Sequence, residues 1–97
     1  PLGEDYLQKA YRMMGGNPVA GLRLADLYYR TGRLEEARKE LSEIGRKMEP
    51  NAETLWLGAR VERKLGDREA EVRYTTQLRR KFPTSREYQE LLKGNYE

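Results

Sequence analysis

Cysteine and histidine are both absent from these 97 residues. Without cysteine there is no disulfide, no thiolate metal site and no cysteine nucleophile. Without histidine the commonest general base, the commonest zinc ligand and every Ser-His triad are gone. No apolar run approaches the ~18 residues that a membrane-spanning helix needs, and no signal peptide is visible. Ser42, Ser85 and the threonines have no histidine to activate them. Glu35/Glu36 and Glu69/Glu71 are carboxylate pairs on polar helix faces with no sign of a pocket. Gly15-Gly16-Asn17-Pro18 has neither a lysine nor a preceding strand, which argues against a phosphate loop. The sequence therefore reads as non-enzymatic, with no cofactor and no metal expected.

Charge, by contrast, is plentiful and of both signs. There are 19 Lys+Arg against 16 Asp+Glu, a formal net charge of +3. Thirteen of the cations are arginine, which favours fork-like pairing with carboxylate or phosphate. Glu35-Glu36-Ala37-Arg38-Lys39-Glu40 and Asp67-Arg68-Glu69-Ala70-Glu71-Val72-Arg73 alternate in sign, the mark of a solvated helix face with pairs one turn apart. A nucleic-acid surface would cluster its cations without interleaved acids, so no nucleic-acid partner is expected. Seven tyrosines against one tryptophan and one phenylalanine suit surfaces that offer contact area yet stay wetted.

The chain also repeats itself. Sliding residues 18–50 onto 51–83 gives identities at Leu22/Leu55, Leu24/Leu57, Arg30/Arg63, Glu36/Glu69, Ala37/Ala70, Arg46/Arg79 and Pro50/Pro83. A fixed period of this size is the signature of a stacked repeat. Each unit reads as two helices. Pro18 opens the first, where its missing N–H costs nothing, and Thr31-Gly32 ends it. The second carries Leu34, Ala37, Leu41 and Ile44 and stops before Pro50. In the next unit Leu55, Gly58, Val61 and Leu65 lead to Gly66 as the terminating glycine, and Asp67 caps a helix bearing Ala70, Tyr74 and Leu78. Thr84-Ser85-Arg86-Glu87 is a capping-box pattern opening a short last helix, with Tyr88, Leu91 and Leu92 inward and Gly94 closing it. Upstream, the spacing predicts one further helix over roughly residues 4–14, with Leu7, Ala10, Tyr11 and Met14 on one side.

Spacing identifies the repeat. Ala25, Tyr28, Ala37, Leu41 and Pro50 in one unit, and Gly58, Val61, Ala70, Tyr74 and Pro83 in the next, resemble the tetratricopeptide pattern. Small residues at Ala25/Gly58 and Ala37/Ala70 let the hairpin's helices approach, while Tyr28/Val61 and Leu41/Tyr74 fill space between repeats. Both units lack the usual tryptophan, and a one-residue slip near Gly66 breaks perfect register. The fold expected is an all-α tetratricopeptide helical-hairpin solenoid. Its divisions are residues 1–3, compatible with a cloning scar; 4–17, the second helix of a truncated preceding repeat; repeats at 18–50 and 51–83; and a capping helix and tail at 84–97. The uncovered side of that first helix, Leu7, Tyr11 and Met14, points to self-association.

A narrower resemblance lies in residues 55–67, 77–85 and the tail helix, joined by Glu4-Asp5-Tyr6-Leu7-Gln8-Lys9-Ala10-Tyr11. These segments resemble the type IV pilus biogenesis lipoproteins of the PilF/PilW family. That resemblance implies a pilotin at the periplasmic face of the outer membrane, promoting localisation and multimerisation of the secretin. It implies the secretin subunit as partner, and a membrane met only through a lipid anchor outside these residues. The alternative is a generic tetratricopeptide adaptor, cytoplasmic, for another protein or peptide; a third reading is a structural spacer.

First helices line the concave side of such a stack. The partner-binding candidates are therefore Val19, Leu22, Asp26, Tyr29 and Arg30 in one unit, and Leu55, Trp56, Ala59, Glu62 and Arg63 in the next. Arg30 and Arg63 read either as a cationic ladder for a peptide carboxylate or as ordinary pairs with Asp26 and Glu62. Trp56 reads either as an interface anchor or as a packing wedge. Of the adjacent Tyr28 and Tyr29, one is expected in the core and one at the surface.

Overall fold

The computed structural model describes residues 18–96, with side chains from Ala20 onward. Among these residues there are five helices and no strand: α1 (Pro18–Arg30), α2 (Leu34–Lys47), α3 (Ala52–Leu65), α4 (Arg68–Lys81) and α5 (Arg86–Lys93). The helix expected over 4–14, with its apolar side, lies outside the described residues. The chain divides into two compact units between Glu49 and Pro50.

In the first unit α1 packs against α2. The buried positions of α2 are Ala37, Leu41 and Ile44, as the spacing predicts. Those of α1 form a double row, Ala20/Gly21, Leu24/Ala25 and Tyr28/Tyr29. Steps of four residues keep each row on one side of the helix, and two adjacent rows make a stripe wide enough for both tyrosines. The expectation that one tyrosine faces solvent is thus corrected: Tyr28 is 5% and Tyr29 6% exposed. The Arg33 guanidinium sits 5.1 Å from the Tyr28 ring centroid. The turn itself is closed by Gly32 at φ 81°, with the Arg33 N–H donating to Tyr28 O at 2.8 Å and the Gly32 N–H to Tyr29 O at 3.3 Å.

The second unit adds a third helix: α3 packs against α4, and α5 rests on both. Asn51 starts α3, its Oδ1 accepting from the Thr54 N–H at 2.8 Å and the Thr54 hydroxyl at 2.9 Å. Gly66 ends α3 in the left-handed conformation at φ 82°. Asp67 then caps α4, its Oδ1 accepting from the Ala70 N–H at 3.1 Å. The slip near Gly66 is a shortened turn, residues 66–67 here against 31–33 in the first unit. At α5 the cap is Ser85, whose Oγ accepts from the Tyr88 N–H at 3.1 Å. The expected Thr84–Glu87 box is therefore corrected: the cap is one residue later, and the position three residues on is Tyr88, which has no carboxylate to reach back. Leu92 is also corrected: it is 62% exposed, because Tyr88 and Leu91, one turn apart, take the inward side.

Tyr74 does not conform to its expected role between repeats. Its ring lies inside the hairpin, against Gly58. The caps set the entry and exit of each helix, and their loss is measurable. Asn51→Ala should lower stability by about 1 kcal/mol, and Gly66→Ala by about 1–2 kcal/mol. Thermal unfolding followed by circular dichroism would show both.

Candidate functional site

The candidate residues divide sharply by exposure. In the first unit Val19 is in the first turn of α1, and its side chain lies outside the described residues. Leu22 and Asp26 are half-buried, Tyr29 is buried and Arg30 is exposed. Arg30 Nε donates to Asp26 Oδ2 at 2.9 Å, one helical turn apart. Of its two readings, the ordinary pair is the one realised. Such exposed pairs contribute roughly 0.3–0.5 kcal/mol, so the guanidinium stays available for a stronger acceptor.

In the second unit Leu55, Trp56, Ala59 and Glu62 are all buried, and only Arg63 is exposed. Six successive buried residues, 54–59, go right round a helix of 3.6 residues per turn, so this stretch of α3 is buried on every side, while its last turn is exposed at Arg63 and Lys64. Leu55, Trp56 and Ala59 form one cluster with Leu78 of α4, flanked by Tyr74, Phe82, Tyr88, Leu91 and Tyr96. Trp56 is only 6% exposed and stands 5.4 Å from the Tyr96 ring at an interplanar angle of 34°. It acts as a packing wedge between the hairpin and the tail.

Two arginines frame that stack. The Arg60 guanidinium lies 5.4 Å from the Trp56 centroid, and that of Arg63 lies 4.0 Å from the Tyr96 centroid. Arg63 Nη1 also reaches Glu71 Oε2 on α4 at 3.6 Å, so its carboxylate partner is Glu71 and not the expected Glu62. A cation over an aromatic face contributes about 0.5–1 kcal/mol at an exposed site. Neither Arg60 nor Tyr96 was foreseen as part of this cluster. The four-residue step from Trp56 to Arg60 is the one sequence signal that could have found the first.

The remaining charges differ between the units. On and beside α2, Arg33 Nε donates to Glu36 Oε2 at 2.6 Å, Arg46 Nη1 to Glu43 Oε1 at 3.1 Å, and Arg38 stands 3.7 Å from Glu35. The sign alternation read from the sequence is thus a solvated, self-paired face. Residues 72–86 break that rule, with Arg73, Arg79, Arg80, Lys81 and Arg86 and no acid. All five are exposed, and among the described residues none of the five takes part in an ion pair.

Among the described residues Glu40 is the one carboxyl pushed clearly up from its ordinary value. Burial is the main cause and neighbouring Glu43 adds to it, against opposing pulls from Lys47 and Lys39. Its Oε2 is buried with no hydrogen-bond partner. A raised pKa means that the fold favours the neutral acid. The group's stabilising contribution is full in acid and is lost as pH rises through the raised value. Glu40→Gln should therefore raise the melting temperature at neutral pH, with the gain shrinking below about pH 4, where the free carboxyl is itself protonated. Parallel melts at the two pH values test this.

No group of three or more acidic, histidine or cysteine side chains among the described residues could hold a metal ion. Nor is any described helix long and apolar enough to cross a membrane.

Comparison with known proteins bears on this arrangement. A tetratricopeptide repeat family model matches residues 4–56. The chain is 33% identical over 87 residues to the type IV pilus assembly protein PilF of Pseudomonas aeruginosa, covering 90% of this chain and 34% of that protein. A solved structure of Pseudomonas aeruginosa PilF superposes with a TM-score of 0.81 at 32% identity, over 94% of this chain and 41% of the other. The crystal structure of PilW, described as a widely conserved type IV pilus biogenesis factor, gives a TM-score of 0.86 at 30% identity, over 94% and 42%. The chain thus spans about a third of the curated relative's length.

Proposed function

Because the chain belongs to the tetratricopeptide repeat family, we propose that it is the non-catalytic protein-interaction part of a type IV pilus pilotin. In this reading it supports outer-membrane localisation and multimerisation of the secretin from the periplasmic face of that membrane. The observation that carries it is the likeness to PilF and PilW, which at 30–33% identity extends over at least 90% of the chain.

The partner is the secretin subunit. Of the ten candidate residues, Arg30 in the first unit and Arg63 in the second each offer it an exposed charged head, and Leu22 and Asp26 are half-buried on the same helix as Arg30. Tyr29 in the first unit, and Leu55, Trp56, Ala59 and Glu62 in the second, are buried and support each helix within its own unit. Arginine suits the task because its planar fork can leave a weak intramolecular acid for a partner's carboxylate.

Calorimetric titration of this chain with purified secretin subunit tests the reading, alongside Arg30→Ala and Arg63→Ala variants of unchanged helicity. Binding by the parent chain, weakened about tenfold or more by either variant, is the expected result. Binding untouched by both would move the contact elsewhere on the chain. No binding to the secretin, by this chain or by a full-length relative, would overturn the pilotin reading.

A further inference from the structure

The outer side of α4 is the strongest unexplained feature of the molecule. Residues 72–86 hold five cations and no acid, while the chain as a whole nearly balances its charges at a net +3. On a helix, Arg73 and Arg80 are seven residues apart and share one flank, and Arg79 lies on the other side of the outward midline. The inward side is fixed by the buried Ala70 and Leu78. Between the two flanks sits Val72, 51% exposed. Lys81 and Arg86 extend the cationic strip past the end of α4 and onto the start of α5.

This patch is costly to leave as it is. Like charges on neighbouring turns repel, and three cations in the last turn exceed what the helix dipole needs. An exposed helix face does not require it, since the arginines on and beside α2 are paired to acids. The cations are spread along an open outer face, and the flanking acids, Glu69 beside Val72 and Arg73 and Glu87 next to Arg86, stand at its two ends. Such a diffuse, extended cationic strip suits a fluid, extended anionic surface better than a peptide that must sit in one register.

We propose that the outer face of α4, with Lys81 and Arg86 beside it, lies against the anionic phospholipid headgroups of a bilayer. This rests on the pilotin reading for the place where such a bilayer is met. It revises the expectation that the membrane is reached only through a lipid anchor. The contact is electrostatic and superficial: the guanidinium groups pair with lipid phosphates, Val72 touches the headgroup layer, and no helix inserts.

Sedimentation of this chain with vesicles of phosphatidylglycerol and phosphatidylethanolamine tests the proposal, with pure phosphatidylcholine vesicles as reference. Each cation near an anionic surface contributes about 1 kcal/mol, or about fivefold in partition. Arg73→Gln/Arg79→Gln/Arg80→Gln should therefore bind about a hundredfold more weakly. The matched variant Arg33→Gln/Arg38→Gln/Arg46→Gln changes net charge equally but alters only ion-paired residues, and should stay within a few-fold of the parent. Binding should also fade between about 0.1 M and 1 M salt, as the screening length falls to about 3 Å.

Equal losses in the two variants would reduce the effect to net charge and overturn the assignment. So would equal partition onto phosphatidylcholine. Binding of polyglutamate or duplex DNA by the patch, without vesicle binding, would replace the lipid by an acidic macromolecule. The secretin titration contains no lipid, so it can succeed or fail independently of this result.

Discussion

Gly58→Ala is expected to destabilise the protein, although removing a glycine from a helix interior ordinarily stabilises it by about 0.5–1 kcal/mol. The opposite sign follows from the Tyr74 ring. A methyl carbon at residue 58 would lie 2.6 Å from Tyr74 Cε1 and Cζ and 2.9 Å from Cδ1. Carbon pairs rest near about 3.5–4.0 Å, so either the ring or the α3–α4 spacing must give. The ring is half-buried and packed against the Leu55–Trp56–Ala59–Leu78 cluster, so retreat from residue 58 means giving up that packing. Overpacking of this kind costs about 1–3 kcal/mol. In a domain of this size that lowers the melting temperature by about 4–8 °C per kcal/mol.

The first repeat suggests the rescue. At the register positions of Gly58 and Tyr74 it carries Ala25 and Leu41, a larger residue on one helix and a smaller one on the other. Both are buried, at 0% and 3% exposure. Gly58→Ala/Tyr74→Leu should recover most of what Gly58→Ala loses, and the two changes should be strongly non-additive in a double-mutant cycle. A single variant that melts higher than the parent would refute the close approach.

The second large effect is expected at Trp56. Trp56→Ala removes the aromatic centre of the second unit and uncovers Tyr96 on one side and Leu78 on the other. Truncations of this kind cost about 3–5 kcal/mol, against a total of about twice that in a small domain. The variant should therefore lose helicity well below the parent's melting temperature, while Trp56→Phe keeps most of it. Far-ultraviolet circular dichroism across a temperature ramp separates the cases. If Trp56→Ala kept its stability and lost only partner binding, the residue would be an anchor after all.

Periodicity made the helices legible, because a 3.6-residue repeat of apolar side chains and a few terminating residues leave little choice. Gly32, Gly66 and Gly94 each occupy the left-handed terminating position, and Asp67 caps as expected. Details that depend on neighbours were harder. Tyr28 and Tyr29 lie on adjacent rows of α1, and nothing in the sequence states how wide the buried stripe is. Leu92 sits one residue from Leu91, a rotation of about 100° that decides between core and solvent. Trp56 is the sharpest case: the pattern placed it on a first helix, whereas its burial depends on Tyr96, forty residues on, in a tail with no periodicity of its own. Arg63 pairs with Glu71 for a similar reason, since a partner across a turn is invisible to i,i+4 bookkeeping.

The described helices rest on near neighbours in the chain: α1 on α2, α3 on α4, and α5 on α3 and α4. Partners so close in sequence need only short loops to be closed, so the search for the native arrangement is brief. Helical proteins with such local connectivity fold in microseconds to milliseconds, whereas chains of similar length built on distant strand pairings need up to seconds. Each hairpin can form as soon as its own residues are available. Synthesis at about 5–20 residues per second is slow by comparison, so the first unit has time to fold before the second is complete.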